Sequence, residues 1–257
     1  MCELFGISSE REELINDYLK LFYAHSDKHP HGWGLAYLSD GQLCIEKESL
    51  QASKSNYLKE KLASPIYSNL TLAHIRFATI GNVYRKNCHP YSKRDNCCRR
   101  WTLIHNGTIF EYPALREFIK CQSGETDSER ILLFIVDKIN KLQKKLCRSL
   151  NFKERFYLLD EIVADMSKNN KLNLIIYDGE YMYIHTNYKN SLYYLEKYNS
   201  IVFSTQPLTS DNWDNVAFTT LLAVKNGRFM ARGTEHGNEY VDNEENIQNL
   251  YRIFSGL

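Results

Sequence analysis

The sequence predicts an α+β fold in which two mostly antiparallel sheets pack together and helices cover their outer faces. Strand-like segments come first, helical segments occupy the middle, and strand-like segments return towards the end. Apolar segments also flank Asp40-Gly41, Asp178-Gly179 and Asn226-Gly227, and such pairs are typical of tight hairpins between antiparallel strands. Two sheet layers with helices outside them is the simplest way to bury the apolar faces of these elements.

The first part of the chain is predicted to combine strands with two short helices. Leu14, Tyr18 and Phe22 recur at helical spacing and predict an amphipathic helix over residues 11–23. A second helix is predicted over residues 54–62. Alternating or continuous apolar runs predict strands at residues 3–8, 34–38, 43–46, 70–77 and 101–105.

Three helices are predicted next. Pro113 suits the first position of one helix, Thr126 or Asp127 can cap the second, and Phe152 opens the apolar pattern of the third. The first of these helices is predicted to bury Leu115, Phe118 and Ile119 on one face.

The last part of the chain is predicted to return to sheet. Strands are expected at residues 172–177, 181–186, 220–225 and 228–232. No linker rich in glycine, serine or proline divides the chain, so residues 1–257 are predicted to form a single domain.

The composition argues against several classes of function. A formal net charge of +1 gives no sign of a nucleic-acid partner, and no apolar run is long enough for a membrane helix. The 7 cysteines lack the spacing of a zinc site and fit free thiols in a reducing cytoplasm. No phosphate-binding loop or nucleotide fingerprint occurs, so no metal and no cofactor are expected.

Cys2 is the residue that restricts the chemistry most. Removal of Met1, which is favoured when the next side chain is small, would leave a thiol and a free α-amine on one residue. The thiolate is the nucleophile, and an α-amine with a reference pKa of about 8 can take the thiol proton near neutral pH. Position alone also permits another interpretation, in which Cys2 is a small apolar residue that opens a buried strand.

Three further segments carry more polar chemistry than their apolar surroundings require. Arg76 lies in an apolar stretch and would need a carboxylate-like partner when buried. Asn106 and Gly107 end a hydrophobic run and could offer two N–H donors to an oxyanion. Asp127 opens a long helix and could bind an ammonium group. Each segment alone also has a structural explanation: an ion pair, an ordinary Asn-Gly turn and a helix cap, respectively.

Five motifs together resemble those of class II glutamine amidotransferases, which belong to the N-terminal nucleophile hydrolase superfamily. They occur in the family's order and are Cys2, Arg76-Phe77-Ala78-Thr79, His89-Pro90, His105-Asn106-Gly107 and Thr126-Asp127. The chain most resembles the compact, stand-alone members, strongly so over residues 2–130. The resemblance implies a four-layer αββα sandwich, the N-terminal nucleophile hydrolase fold, which residues 131–257 would complete.

The resemblance also implies roles for the residues at the centre of the site. Cys2 would be the nucleophile, and its own α-amine would be the base. The side-chain amide of Asn106 and the N–H of Gly107 would hold the oxyanion. Arg76 would bind the α-carboxylate of glutamine, and Asp127 would bind its α-amino group.

Other matching residues would surround the substrate. Thr79 and the segment around Gly81 would line the pocket, and His89 would support it, with a weaker claim to act as an acid or base. Two departures from the family lie beside this pocket. Family members often carry Asp where His31 stands, and related enzymes with a synthase domain carry Trp and His at positions 77 and 80.

The implied reaction is hydrolysis of the side-chain amide of L-glutamine through a thioester on Cys2, which releases ammonia. The sequence does not identify the acceptor of the ammonia, and a separate synthetase protein is a candidate partner. Two alternatives stay open. The same residues could serve a γ-glutamyl hydrolase that cuts a small γ-glutamyl peptide or amine, or a non-catalytic subunit that senses glutamine.

Overall fold

The computed structural model describes residues 2–244, 246 and 248, and these residues form two antiparallel sheets. The seven-stranded sheet contains, in spatial order, β11 (Asp214–Asn215), β9 (Tyr193–Lys197), β10 (Ser200–Ser204), β1 (Glu3–Leu14), β4 (Tyr67–Ile75), β2 (Trp33–Ser39) and β3 (Gln42–Glu48). The six-stranded sheet contains β13 (Arg228–Arg232), β12 (Leu222–Lys225), β8 (Met182–His185), β7 (Lys171–Tyr177), β6 (Arg100–Thr108) and β5 (Tyr91–Arg94).

Helices cover the outer face of each sheet. Helices α1 (Asn16–Ala24) and α2 (Asn56–Ala63) pack on the seven-stranded sheet, and α3 (Asp127–Leu146) and α4 (Phe152–Met166) pack on the six-stranded sheet. Short 3-10 turns occur at His25–Lys28, Ala52–Lys54, Arg85–Asn87 and Pro113–Phe118.

A third apolar layer lies between the two sheets. Side chains alternate across a strand, so Leu4 of β1 and Ile104 of β6 meet in this inter-sheet layer, whereas Phe5 and Leu103 face the helices on either side. All four side chains are fully buried, and burying a side chain of this size contributes roughly 1.5–3 kcal/mol. The layers therefore run helix, sheet, sheet, helix, which confirms the predicted αββα sandwich.

The hairpins confirm the predicted antiparallel pairing. Asp40 and Gly41 both have positive φ, 51° and 72°, and so do Asn226 and Gly227, at 51° and 68°. Two consecutive residues in this conformation form the turn whose twist matches that of paired strands. The connection between β7 and β8 is longer, and the buried carboxylate of Asp178 closes it by accepting two backbone N–H groups.

The predicted helix over residues 11–23 is wrong at its start. Strand β1 continues to Leu14, because Glu13 and Leu14 pair with β4 beyond a register shift. The helix then begins at Asn16, whose side chain accepts from Ile66 N at 2.7 Å and so joins the helix to the loop before β4. Pairing with a distant strand thus overrides the local helical spacing.

The segment that begins at Pro113 also differs from its prediction. It forms a 3-10 turn, Pro113–Phe118, rather than an α-helix. Residues three apart share a face in a 3-10 helix, so Leu115 and Phe118 both pack on the core, whereas Ile119 is 51% exposed. Among the residues that the structure describes, no helix is both long and apolar enough to cross a membrane.

Candidate active site

The alternation of side chains brings Cys2 and Asn106 to the same space. Cys2 lies two residues before Leu4, and Asn106 lies two residues after Ile104, so both face the layer between the sheets. Strand β4 runs antiparallel to β1 with Glu3 opposite Ile75, which sets Cys2 beside Arg76. The thiol of Cys2 and the guanidinium of Arg76 therefore lie together at one end of the seven-stranded sheet, and the amide of Asn106 lies near the end of β6 in the other sheet.

The sulfur of Cys2 is held by the backbone of Phe77. Cys2 Sγ donates to Phe77 O at 3.3 Å, and Phe77 N lies 3.4 Å from the sulfur as a donor. Burial raises the pKa of the Cys2 thiol, while the Phe77 backbone and the Arg76 charge oppose that effect and the Asp127 charge adds to it. The thiol is thus mostly protonated at neutral pH, and a base is needed to generate the thiolate.

Arg76 is buried at the end of β4, just outside the strand. Its Nη1 donates to Asn82 O at 3.0 Å, and its Nη2 donates to Ile80 O and Gly81 O, both at 2.9 Å. The carboxylate-like partner expected from the sequence is replaced here by carbonyl oxygens. A guanidinium has five N–H donors, so these bonds leave Nε and one Nη1 hydrogen for a ligand.

The carbonyl oxygens belong to residues 77–82, which we call the Arg76 loop. Gly81 has φ +79°, and a Cβ there would lie 3.0 Å from Asn87 Nδ2, so glycine suits the turn. Asn87 is fully buried and donates to Asn82 O at 2.8 Å. Thr79 is half-buried in the same loop. The predicted pocket residues Thr79 and Gly81 therefore lie on the segment that surrounds the guanidinium.

Two acceptors outside the Arg76 loop fasten its ends. Ala78 N donates to His31 Nδ1 at 2.9 Å, and Asn82 N donates to Glu125 Oε2 at 2.8 Å. The hydrogen bond from the backbone N–H of Asn82, followed by the one from the side-chain amide of Asn87, lowers the pKa of Glu125. Neither His31 nor Glu125 was assigned a role from the sequence, although His31 was noted as a departure from the family.

Asn106 and Gly107 lie inside strand β6, which continues to Thr108. They pair with Asn173 and Leu172 of β7, so the alternative of an ordinary Asn-Gly turn is wrong. A Cβ at Gly107 would lie 2.0 Å from Lys171 O, so the neighbouring strand permits only glycine. Asn106 is 5% exposed, and its Oδ1 has no hydrogen-bond partner among the described residues.

Asp127 is the first residue of α3 and is buried. Thr126 caps the helix by accepting from Glu129 N at 3.2 Å, so the cap belongs to Thr126 and leaves the Asp127 carboxylate for other partners. Asp127 Oδ2 accepts from Ile109 N and Oδ1 accepts from Ser128 N, both at 2.9 Å. Asp127 also lines a cavity of about 450 Å³ beside the 3-10 turn that starts at Pro113.

His89 lies in a group of buried rings. Its ring centroid is 4.0 Å from that of His74 and 4.8 Å from that of Tyr91. Burial, followed by the neighbouring His74, holds the pKa of His89 well below 6.5, so the ring is neutral. The supporting role of His89 stays a prediction.

A buried carboxylate beside Cys2 was missed in the sequence. Glu3 accepts from His25 Nδ1 at 2.7 Å and from Gln206 Nε2 at 2.9 Å, and it is 3% exposed. These bonds tie the first residue of β1 to the turn after α1 and to the segment after β10. An acidic residue directly before the apolar run that starts at Leu4 was the available signal, but its partners are far away in the chain.

All seven cysteines are free thiols. Over residues 2–244, 246 and 248, no group of three or more His, Cys, Asp or Glu side chains is arranged to hold a metal ion.

The chain is similar to known proteins in both sequence and fold. The sequence model of the class II glutamine amidotransferases matches residues 1–199. An uncharacterised protein of Methanocaldococcus jannaschii is 27% identical over 258 residues, which cover 90% of this chain and 71% of that protein. The isomerizing glutamine–fructose-6-phosphate aminotransferase of Clostridium acetobutylicum is 27% identical over 228 residues, which cover 80% of this chain and 36% of the enzyme.

A solved structure shares the fold. Glutamine phosphoribosylpyrophosphate amidotransferase from B. subtilis superposes with a TM-score of 0.63 at 18% identity, over 89% of this chain and 48% of that one. The chain thus spans about half of that enzyme. The shared part is the αββα sandwich.

Proposed function

This chain belongs to the class II glutamine amidotransferases, and we propose that it hydrolyses the side-chain amide of L-glutamine through a thioester on Cys2. The observation that carries the proposal is the position of the Cys2 sulfur. It lies against the backbone of Phe77, and the charges of Arg76 and Asp127 both act on it. A nucleophile between a cation and an anion suits a substrate that carries an α-carboxylate and an α-ammonium group.

The glutamine backbone is bound by two opposite charges in this proposal. The two N–H groups that Arg76 keeps free can hold the α-carboxylate. Asp127 accepts from Ile109 N and Ser128 N, and a carboxylate has about four acceptor positions, so capacity remains for the α-ammonium group. The side-chain amide of the substrate then extends from these anchors towards Cys2.

The reaction proceeds in two halves. The Cys2 sulfur attacks the side-chain carbonyl carbon, and the thiol proton passes to the α-amine of Cys2. Asn106 Nδ2 and Gly107 N–H hold the negative charge that develops on the oxygen, and each such donor is worth about 2.7–4 kcal/mol. When the C–N bond breaks, the nitrogen takes the proton and leaves as ammonia, and a γ-glutamyl thioester remains.

Water completes the reaction. It attacks the thioester carbon, the α-amine passes a proton from the water to the departing sulfur, and glutamate is released. This role of the α-amine requires that Met1 is removed. The buried thiol has a raised pKa, so a neighbouring base is needed, and the α-amine of the same residue is the nearest group of suitable strength.

The fate of the ammonia is a separate part of the proposal. The relative from Clostridium acetobutylicum is much longer, and this chain covers 36% of it. We propose that a separate synthetase protein receives the ammonia, or that the chain acts as a glutaminase when no such partner is bound.

The direct test is to measure glutamate and ammonia released from L-glutamine by the wild type and by Cys2→Ala. The wild type is expected to turn over, and the variant should lose essentially all activity while keeping its melting temperature. Activity near the wild-type level in Cys2→Ala would refute the proposal.

Two further assays separate the remaining alternatives. Faster amine release from γ-glutamyl dipeptides than ammonia release from glutamine would indicate a γ-glutamyl hydrolase. Glutamine binding without turnover would indicate a sensor.

A further inference from the structure

The Arg76 loop is fastened at each end by a titratable acceptor. At one end Ala78 N donates to His31 Nδ1 at 2.9 Å, and at the other Asn82 N donates to Glu125 Oε2 at 2.8 Å. Between these points lie the carbonyl oxygens that bind the guanidinium of Arg76. The conformation of the loop and the aim of the guanidinium therefore depend on side chains outside the loop, among them His31 and Glu125.

The hydrogen bond from Ala78 fixes the protonation state of His31. A ring nitrogen that accepts an N–H carries no proton, so the ring is neutral with its proton on Nε2. A second proton would have to sit on Nδ1 and point at the N–H of Ala78. Two donors cannot share that position, so protonation of His31 removes the acceptor and releases the loop from it.

The surroundings of His31 favour the neutral ring. The ring lies 5.3 Å from that of Phe77, and burial, then the Arg76 charge, lowers the pKa of His31 from its ordinary value of 6.5. His29 packs against the same phenyl ring at 6.5 Å, and its Nε2 is 3.8 Å from the carboxylate of Glu3. The charged and titratable groups around His31 are therefore Arg76, His29 and Glu3.

We propose that His31 is a positioning residue that makes glutamine binding depend on pH: its neutral ring holds the Arg76 loop in the binding conformation, and its protonation releases the loop. The inference rests on the proposed function, because it concerns the loop that would bind the substrate carboxylate. The direction follows from the hydrogen bond, since the acceptor is present at neutral pH and lost in acid.

Glu125, the acceptor at the other end of the loop, does not gain a proton in the pH range in which His31 does. Hydrogen bonds from Asn82 N and Asn87 lower the pKa of Glu125 from 4.5, so its carboxylate keeps its charge while His31 gains a proton. A change in glutamine affinity between neutral pH and about pH 5 is thus assigned to His31 rather than to Glu125.

Two substitutions separate the acceptor from the ring. His31→Asn keeps an acceptor oxygen near the position of Nδ1 and cannot be protonated, and His31→Phe keeps the aromatic contact with Phe77 and has no acceptor. We expect the KM for glutamine of the wild type to rise about threefold to tenfold from about pH 7.5 to about pH 5, relative to that of His31→Asn. His31→Phe should show the raised KM at all pH values. Both proteins share the titration of Cys2 and its α-amine, so dividing the KM of the wild type by that of His31→Asn at each pH removes this common contribution.

A second measurement needs no turnover. Hydrogen exchange of the peptide that contains residues 77–82, corrected for the intrinsic effect of pH, should become faster in the wild type than in His31→Asn as the pH falls. If exchange becomes faster in the wild type as predicted but glutamine is never hydrolysed, the proposed function fails and the role of His31 in holding the loop stands. If wild type and His31→Asn show the same pH dependence of KM and of exchange, the role of His31 is overturned.

Discussion

The two walls of the candidate site are built in different ways. One wall, the end of β6 with Asn106 and Gly107, lies inside a sheet and pairs residue by residue with β7. The other wall, the Arg76 loop, pairs with no strand among the described residues. The side chains of His31 and Glu125 accept hydrogen bonds from its backbone. The first wall is held by backbone pairing and the second by single side-chain bonds.

The difference matches the work that we propose for each wall. An oxyanion donor must be in place before charge develops, so it gains from a rigid sheet, and His105 adds to this by bonding Ser128 Oγ at 3.0 Å. A loop that admits and retains a substrate must open, so weak fastenings suit it. Substitutions in the sheet wall should therefore change kcat, and substitutions in the loop wall should change KM.

The largest effect is expected from the sheet wall. Asn106→Ala should lower kcat by about 10²–10³-fold with little change in KM, because the lost amide acts on the oxyanion and not on bound glutamine. Its Oδ1 makes no hydrogen bond within residues 2–244, so the melting temperature should change little. Steady-state kinetics and a thermal melt check both points. A KM effect as large as the kcat effect would show that Asn106 binds the ground state.

The next effect concerns the guanidinium of the loop wall. Arg76→Lys keeps a charge but loses the planar donors that bind Ile80 O, Gly81 O and Asn82 O. We expect the KM for glutamine to rise about 10–100-fold, with a smaller change in kcat. Kinetics with L-glutamine measure the split between KM and kcat, and the control is Lys93→Arg, which changes an exposed cation on β5. A fall in kcat alone would contradict the assignment of Arg76 to substrate binding.

A smaller effect is expected from the hydrogen bond between Asn82 N and Glu125, which holds the far end of the Arg76 loop. Glu125→Gln keeps one acceptor oxygen for Asn82 N but removes the charge that strengthens the bond. The KM should rise about twofold to fivefold and kcat should stay near the wild-type value. If kcat falls instead, the loop positions the reacting atoms as well as the substrate, and the contrast between the two walls weakens.

The smallest effect on activity is expected far from both walls. His185 Nε2 and His236 Nε2 lie 3.0 Å apart, and burial lowers the pKa of both rings from 6.5, that of His185 to about 3. The unfolded chain therefore binds more protons below about pH 6.5, and stability should fall with decreasing pH, by up to about 1.4 kcal/mol per pH unit for the fully buried His185 and by less for the half-buried His236. This loss of stability continues until the pH reaches the pKa that the histidine has in the folded protein.

Denaturant titrations of His236→Asn measure that contribution. The variant should show a shallower loss of stability between about pH 6.5 and pH 5, because one proton fewer is taken up on unfolding. Its kinetics at neutral pH should match the wild type. An unchanged pH slope would show that His236 is not held neutral in the folded protein.

Local chemistry made part of the fold predictable from the sequence. The hairpin turns at Asp40-Gly41 and Asn226-Gly227 depend on residues that tolerate positive φ, and the cap at Thr126 depends on its own hydroxyl. These features involve neighbours in the chain. Strands β9 and β10 were not predicted, since the turn between them at Tyr198 and Asn199 lacks glycine.

The parts that could not be predicted depend on distant partners. Strand β1 extends to Leu14 because β4 pairs with it, and no local pattern contains that information. The bonds from His31 to the Arg76 loop and from Gln206 to Glu3 join residues 47 and 203 positions apart. The motifs therefore predicted the residue types of the candidate site, but the side chains that hold those residues in place, such as His31 and Gln206, became visible only in the fold.

The most direct test of the account is an intact mass after incubation with a glutamine-derived electrophile. We predict a chain that lacks Met1 and carries one label on Cys2, with excess L-glutamine protecting it and with no label on Cys2→Ala. Cys88, a buried thiol, should remain unlabelled in both proteins. A wild-type chain that stays unlabelled, or a Cys2→Ala chain that is labelled equally, would contradict the assignment of Cys2 as the nucleophile.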